Sequence, residues 1–154
     1  MGQASRLSGG ALLLAAVMLG CDGDIVDRDG AETLWDAIHE ADYTAWAAAP
    51  GYETAQPTVR AHGTTARVYL NPVMQGAVTG AAIEAWPQDA VLVKDSYDTS
   101  GDLSLIAAME KTSDGWFFAE WSALGEVEYA GQPEVCLGCH LAGHDLVLSV
   151  SLPD

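Results

Sequence analysis

The 154 residues suffice for one domain, and 49% of them are hydrophobic with charges scattered along the chain, a globular rather than a disordered composition. Twenty-two acidic residues against six basic ones leave a formal charge of −16. That balance excludes nucleic acid and an anionic lipid surface as partners, because both would repel it.

The chain opens with residues 1–10, whose one charged side chain is Arg6. The apolar run "ALLLAAVML" follows and is too short to span a bilayer comfortably. Then come Gly20 and Cys21, and the whole reads as a secretory signal peptide. "MLGC" is similar to a lipobox, with leucine where a small residue is usual. A lone free thiol is a liability in an exported protein, which favours a lipid on Cys21 over an incidental cysteine. The expectation is a lipoprotein-type signal peptide over residues 1–20, an acidic tether over 21–30 and one domain over 31–154. The protein is then exported to the periplasm or cell envelope, and meets the membrane only through its lipid anchor. Removing the first twenty residues takes away only Arg6, so the mature chain is one charge more negative.

Leu34, Ile38, Ala41 and Ala45 recur at helical spacing, flanked by Trp35 and Trp46. They predict a helix over 31–48, stopped by Pro50 and Gly51. His39 lies in it as a surface residue. Residues 64–72, "TTARVYLNP", predict a strand ended by Asn-Pro. "MQGAVTGAAIEAWP" reads as a weak helix broken by glycines or as a loop. Strands are expected over 89–98, 103–112 and 116–123, with a short one in "LGEVEYAG". "TSGD" and "SDG" supply the turns between the first three. The fold expected is therefore α+β: an antiparallel meander of four to five strands with helices packed on it.

After the last strand comes "EVCLGCHLAGHD", with two of the three cysteines. Cys136 and Cys139 are spaced to form thioether bonds to the two vinyl groups of one haem, and His140 then lies under the iron as axial ligand. A Cys136–Cys139 disulfide, a redox dithiol and a zinc site completed by His144 compete with this reading. The disulfide needs no histidine. The dithiol belongs with a βαβ pattern that is absent here. Adjacent ligands such as Cys139 and His140 suit one tetrahedral metal poorly. Export agrees with a single covalent haem c. No methionine follows the motif, so the iron is expected to keep an open position for a small molecule. His62 and His144 are the alternative sixth ligands, and Met109 is read as core.

Alternation puts Leu92, Lys94 and Ser96 on one strand face, so Lys94 cannot pair with Asp95. An ammonium among apolar neighbours must snorkel, pair or be used chemically. Lys111, near a turn, is expected in solvent. His62, Glu120 and Glu134 are base candidates by residue type. Of Phe117 and Phe118, only one can face a haem and help form an apolar cap. Arg60 and Arg67 are candidate partners for haem propionates.

In order along the chain, "HGTTARVYLNP", "WPQDAVLVKDSYD", "LIAAMEK", "GWFFAEW" and "CLGCH" resemble the cytochrome P-460 family, which includes the related cytochromes c′-beta. The matching pieces cover most of residues 62–149. The resemblance implies an antiparallel sheet with packed helices, usually in a homodimer. It implies a lysine bonded covalently to the haem ring, at the position of Lys94. It also implies oxidation of hydroxylamine with electrons passed to an acceptor protein or, in the c′-beta branch, binding of nitric oxide without catalysis.

Overall fold

The computed structural model describes residues 27–58 and 62–153. The expected signal peptide, the Cys21 lipid site, most of the tether and Arg60 lie outside the described residues. Among the described residues, no helix is long and apolar enough to cross a membrane.

Asp27 starts the first helix, α1 (Arg28–Glu40), by accepting the Gly30 N–H on its carboxylate at 2.9 Å. Ala31, Leu34 and Ile38 recur on one face and are buried. The helix is shifted from the expected 31–48. It stops at Glu40 because Asp42 takes a left-handed conformation (φ 48°), and the Trp46 indole N–H donates to the freed Ala41 carbonyl at 3.2 Å. Tyr43–Ala45 is then a single 3-10 turn, and Ala47–Ala48 is a two-residue strand, β1. His39 is exposed as expected, its Nδ1–H donating to the Trp35 carbonyl at 2.8 Å.

A second two-residue strand, β2 (Gln56–Pro57), precedes the long strand β3 (Thr65–Leu70). The "MQGAVTG" segment is a helix, α2 (Pro72–Thr79). Asn71 caps it by accepting the Met74 N–H at 2.9 Å. The same side chain accepts the Val91 N–H at 3.1 Å and donates to the Asp89 carbonyl at 2.8 Å, so it also fixes the entry to β4 (Val91–Tyr97). Asn71→Ala is expected to cost about 1–2 kcal/mol. Chemical denaturation reads this as a lower midpoint at unchanged slope, and an unchanged midpoint would mean that water replaces these bonds.

Strands β5 (Leu103–Thr112), β6 (Gly115–Ser122) and β7 (Val127–Gly131) complete the meander. The sheet is antiparallel in the order β1-β3-β4-β5-β6-β7, and β2 also pairs with β3. It has seven strands rather than four or five. The two additional ones are dipeptides, too short to leave an alternation signal.

Helix α1 covers one face, where Leu34, Ile38 and Tyr43 meet Val93, Ile106 and Trp121. The other face is covered by α2 and the C-terminal segment, through Met74, Trp86, Val147 and Leu152 on Leu92, Met109 and Phe118. Burial on both sides explains why Val91, Leu92 and Val93 are buried in succession.

Asp95 points to the α1 face and is only 5% exposed, with the Tyr43 hydroxyl donating to it at 2.9 Å. Burial pushes its pKa up, partly opposed by hydrogen bonds from Tyr43 and Tyr69. The folded chain therefore keeps this proton to higher pH than the unfolded chain does. The favourable contribution exists below the ordinary carboxylate range and is lost as pH rises through the folded value. Asp95→Asn keeps an acceptor for Tyr43 and is expected to flatten this part of the stability–pH curve. Denaturation midpoints across pH 3–8 check it, and a variant curve parallel to that of the wild type would contradict it.

Candidate functional site

Strand β7 ends at Gly131, and Pro133 leads directly into the short helix α3 (Glu134–His140), which carries the cysteine pair. Cys136 and Leu137 pack against the core, Cys139 is exposed, and neither cysteine is in a disulfide. Gly138 lies between them. Glycine inside a helix costs about 1 kcal/mol relative to alanine, yet a Cβ here would meet no protein atom within 4 Å. No packing demand of the chain explains this glycine, and it borders a cavity.

The cavity holds about 570 Å³ between α3, the sheet and the C-terminal segment. That is a normal size for a site enclosing one organic ligand, about 300–1,000 Å³. Cys136, Cys139 and His140 line it together with Lys94, Glu120 and His62.

His140 is held by the chain that follows it. Its Nδ1 lies 2.7 Å from the Leu146 carbonyl oxygen. A carbonyl only accepts, so Nδ1 carries the proton and Nε2 keeps its lone pair. Burial holds the pKa of this ring below the usual histidine range, opposed by the bond to Leu146. The side chain is thus a neutral imidazole whose donor nitrogen is fixed by a backbone carbonyl, the arrangement common to metal-ligating histidines. Phe118 meets the ring edge-to-face, with centroids 5.1 Å apart.

The floor of the cavity is a cross-strand row. Lys94 pairs with Ala107, and Ala107 with Glu120. Leu92, Met109 and Phe118 form the next row. Ala107 has almost no side chain and leaves open space between the lysine and the glutamate. Lys94 shares a strand face with Leu92, as alternation required, and that face lines the cavity; burial pushes the pKa of Lys94 down, with Glu120 pulling the other way. His62 Nδ1 stands 3.0 Å from Glu120 Oε2. The approach is not an aligned hydrogen bond, so this buried nitrogen has no hydrogen-bond partner among the described residues. Such an orphan on a cavity wall suits a bound polar molecule. Thr58 secures the His62 loop by donating its hydroxyl to the carbonyls of His62 at 3.1 Å and Gly63 at 2.6 Å.

Several expectations are corrected. Glu134 is exposed and lies outside the cavity lining, so of the three base candidates only His62 and Glu120 remain. Arg67 pairs in register with Asp95 and is exposed on the face opposite the cavity. Phe117 also faces α1, and Phe118 packs on His140 itself, so the pair forms no separate apolar cap. Met109 is buried in the core as expected and also borders the cavity. His144 is exposed, and no three metal-ligating side chains converge among the described residues, which leaves the four-ligand zinc reading without a geometry. Lys111 is not in solvent. Its ammonium donates to both Asp145 oxygens at 2.9 Å and lies 5.3 Å from the centroid of the Trp116 ring. Tyr52, Thr58 and Ser149 line the cavity from loops, and no spacing in the sequence marks them.

The geometry fits one covalent haem. It supplies two cysteines outside any disulfide and an imidazole whose Nε2 keeps its lone pair on one wall, an uncrowded glycine between the cysteines, and a cavity of ligand size. No family model matches this chain, and no curated protein matches it.

Proposed function

We propose that the chain is an exported c-type protein with one haem, one open iron position and the ability to oxidise hydroxylamine or a related small nitrogen compound. The observation that carries this is the convergence of Cys136, Cys139 and a tautomer-fixed His140 on the cavity that also holds Lys94, Glu120 and His62. Cys136 and Cys139 would hold the haem by thioether bonds, and His140 would offer Nε2 to the iron. When bound, the haem supplies the one-electron chemistry. Glu120 and His62 would accept protons from the small molecule. Lys94 is the residue that matches the cross-linking lysine of the cytochrome P-460 family, which the sequence resembles. Electrons taken from the substrate must leave, so an acceptor protein belongs to the proposal, and the acidic chain favours a basic one.

A second reading is supported by the apolar row Leu92, Met109 and Phe118. On that reading the site holds nitric oxide without turnover, as in the c′-beta proteins. Steady-state oxidation of hydroxylamine by the haem-loaded protein, with an artificial electron acceptor, separates the two. Turnover that depends on Glu120 supports the oxidase. Tight nitric oxide binding with no turnover supports the gas-binding protein.

A further inference from the structure

We infer that Lys111 is a positioning residue for His140: its ion pair with Asp145 locks the turn over residues 143–147 so that the Leu146 carbonyl stays fixed on Nδ1. This rests on the haem reading and adds to it the device that sets the strength of the axial ligand.

The turn is held from three directions. Lys111 donates to both Asp145 oxygens at 2.9 Å. The Trp86 backbone N–H donates to Asp145 Oδ2 at 2.9 Å, and the Trp86 indole N–H donates to the His144 carbonyl at 3.3 Å. His144 and Val147 exchange two backbone bonds of 3.1 and 3.2 Å. The backbone needs this restraint. Asp145 and Leu146 are both left-handed, at φ 47° and 65°, which side chains other than glycine rarely adopt. Gly143 admits no side chain, because a Cβ would collide with the Val147 backbone. Of these restraints only the His144–Val147 bonds are local to the turn, whereas Lys111 and Trp86 belong to the sheet and the core. The ion pair is mostly buried, with side-chain exposures of 19% and 20%, so water competes weakly for either partner. Lys111 lies one step beyond Met109 on the cavity face of β5. The chain of contacts thus runs from the sheet through Lys111, Asp145 and Leu146 to His140.

A strong bond from Nδ1–H to a carbonyl raises the basicity of Nε2 and favours the oxidised metal. Releasing the turn should weaken it. In the haem-loaded full chain, Lys111→Met is expected to lower the iron–histidine stretching frequency in resonance Raman spectra. It is also expected to favour the reduced iron about tenfold, which raises the one-electron reduction potential by about 59 mV. Asp145→Asn should act in the same direction while keeping the shape of the side chain, and it carries the test if Lys111→Met does not fold. Lys111→Arg, which retains two donors to the carboxylate, should stay close to wild type. Variants that carry covalent haem with an unchanged stretching frequency and potential would overturn this inference alone. A wild-type protein that takes no covalent haem would overturn the haem reading, and this inference with it.

Discussion

A Glu120→Gln variant is expected to lose hydroxylamine oxidation by about 10²–10⁴-fold, the usual contribution of a positioned proton acceptor. Alternation along β6 turns Glu120 to the cavity while Trp121 packs under α1, and on the oxidase reading Glu120 is the proton acceptor. Its Oε2 lies 3.0 Å from His62 Nδ1, the second base candidate on the cavity wall. Glutamine keeps the size and the packing and cannot accept the proton. The haem spectrum and fold should therefore stay as they are while turnover collapses. Steady-state rates with an artificial acceptor check this, and a variant with wild-type turnover would remove Glu120 from the chemistry.

A Lys94→Ala variant is expected to alter the absorption spectrum of the haem-loaded protein and to lower its oxidising activity. Lys94 stands on the cavity floor, between Val68 on β3 and Ala107 on β5. Burial lowers its pKa, which raises the share of neutral amine, the form that is nucleophilic. A lysine bonded to the porphyrin edge changes the electronics of the ring, and its loss should return an ordinary high-spin c-type spectrum. Spectra and intact masses of the two proteins, taken side by side, check this. Identical spectra would rule out a cross-link at Lys94 and shift the reading to nitric oxide binding.

Much of the site was legible wherever a rule of period two applies. Alternation placed Lys94 with Leu92 and Ser96, separated it from Asp95, and required that Phe117 and Phe118 face opposite ways. The meander was legible because its turns sit in "TSGD" and "SDG". The end of α1 was not, because the helical spacing continues through Ala45 while Asp42 adopts a left-handed conformation without being glycine. Alternation in β3 also does not say which face meets the cavity, so the side taken by Arg67 stayed open until β3 was paired with β4. Contacts between distant segments leave no local trace. His62 and Glu120 meet from a loop and from β6, and Lys111 and Asp145 are 34 positions apart. Each of those charges has an ordinary solvent-facing reading in its own neighbourhood, and only the folded chain brings the partners together.

The most direct measurement is the intact mass of the full chain produced in an export compartment with haem-attachment machinery, under denaturing conditions, beside a Cys136→Ala/Cys139→Ala variant. A mass increased by one haem in the wild type and by none in the variant is the predicted result. An unmodified mass in both would contradict the central claim, and Cys136 and Cys139 would then have to be read as a disulfide or metal pair.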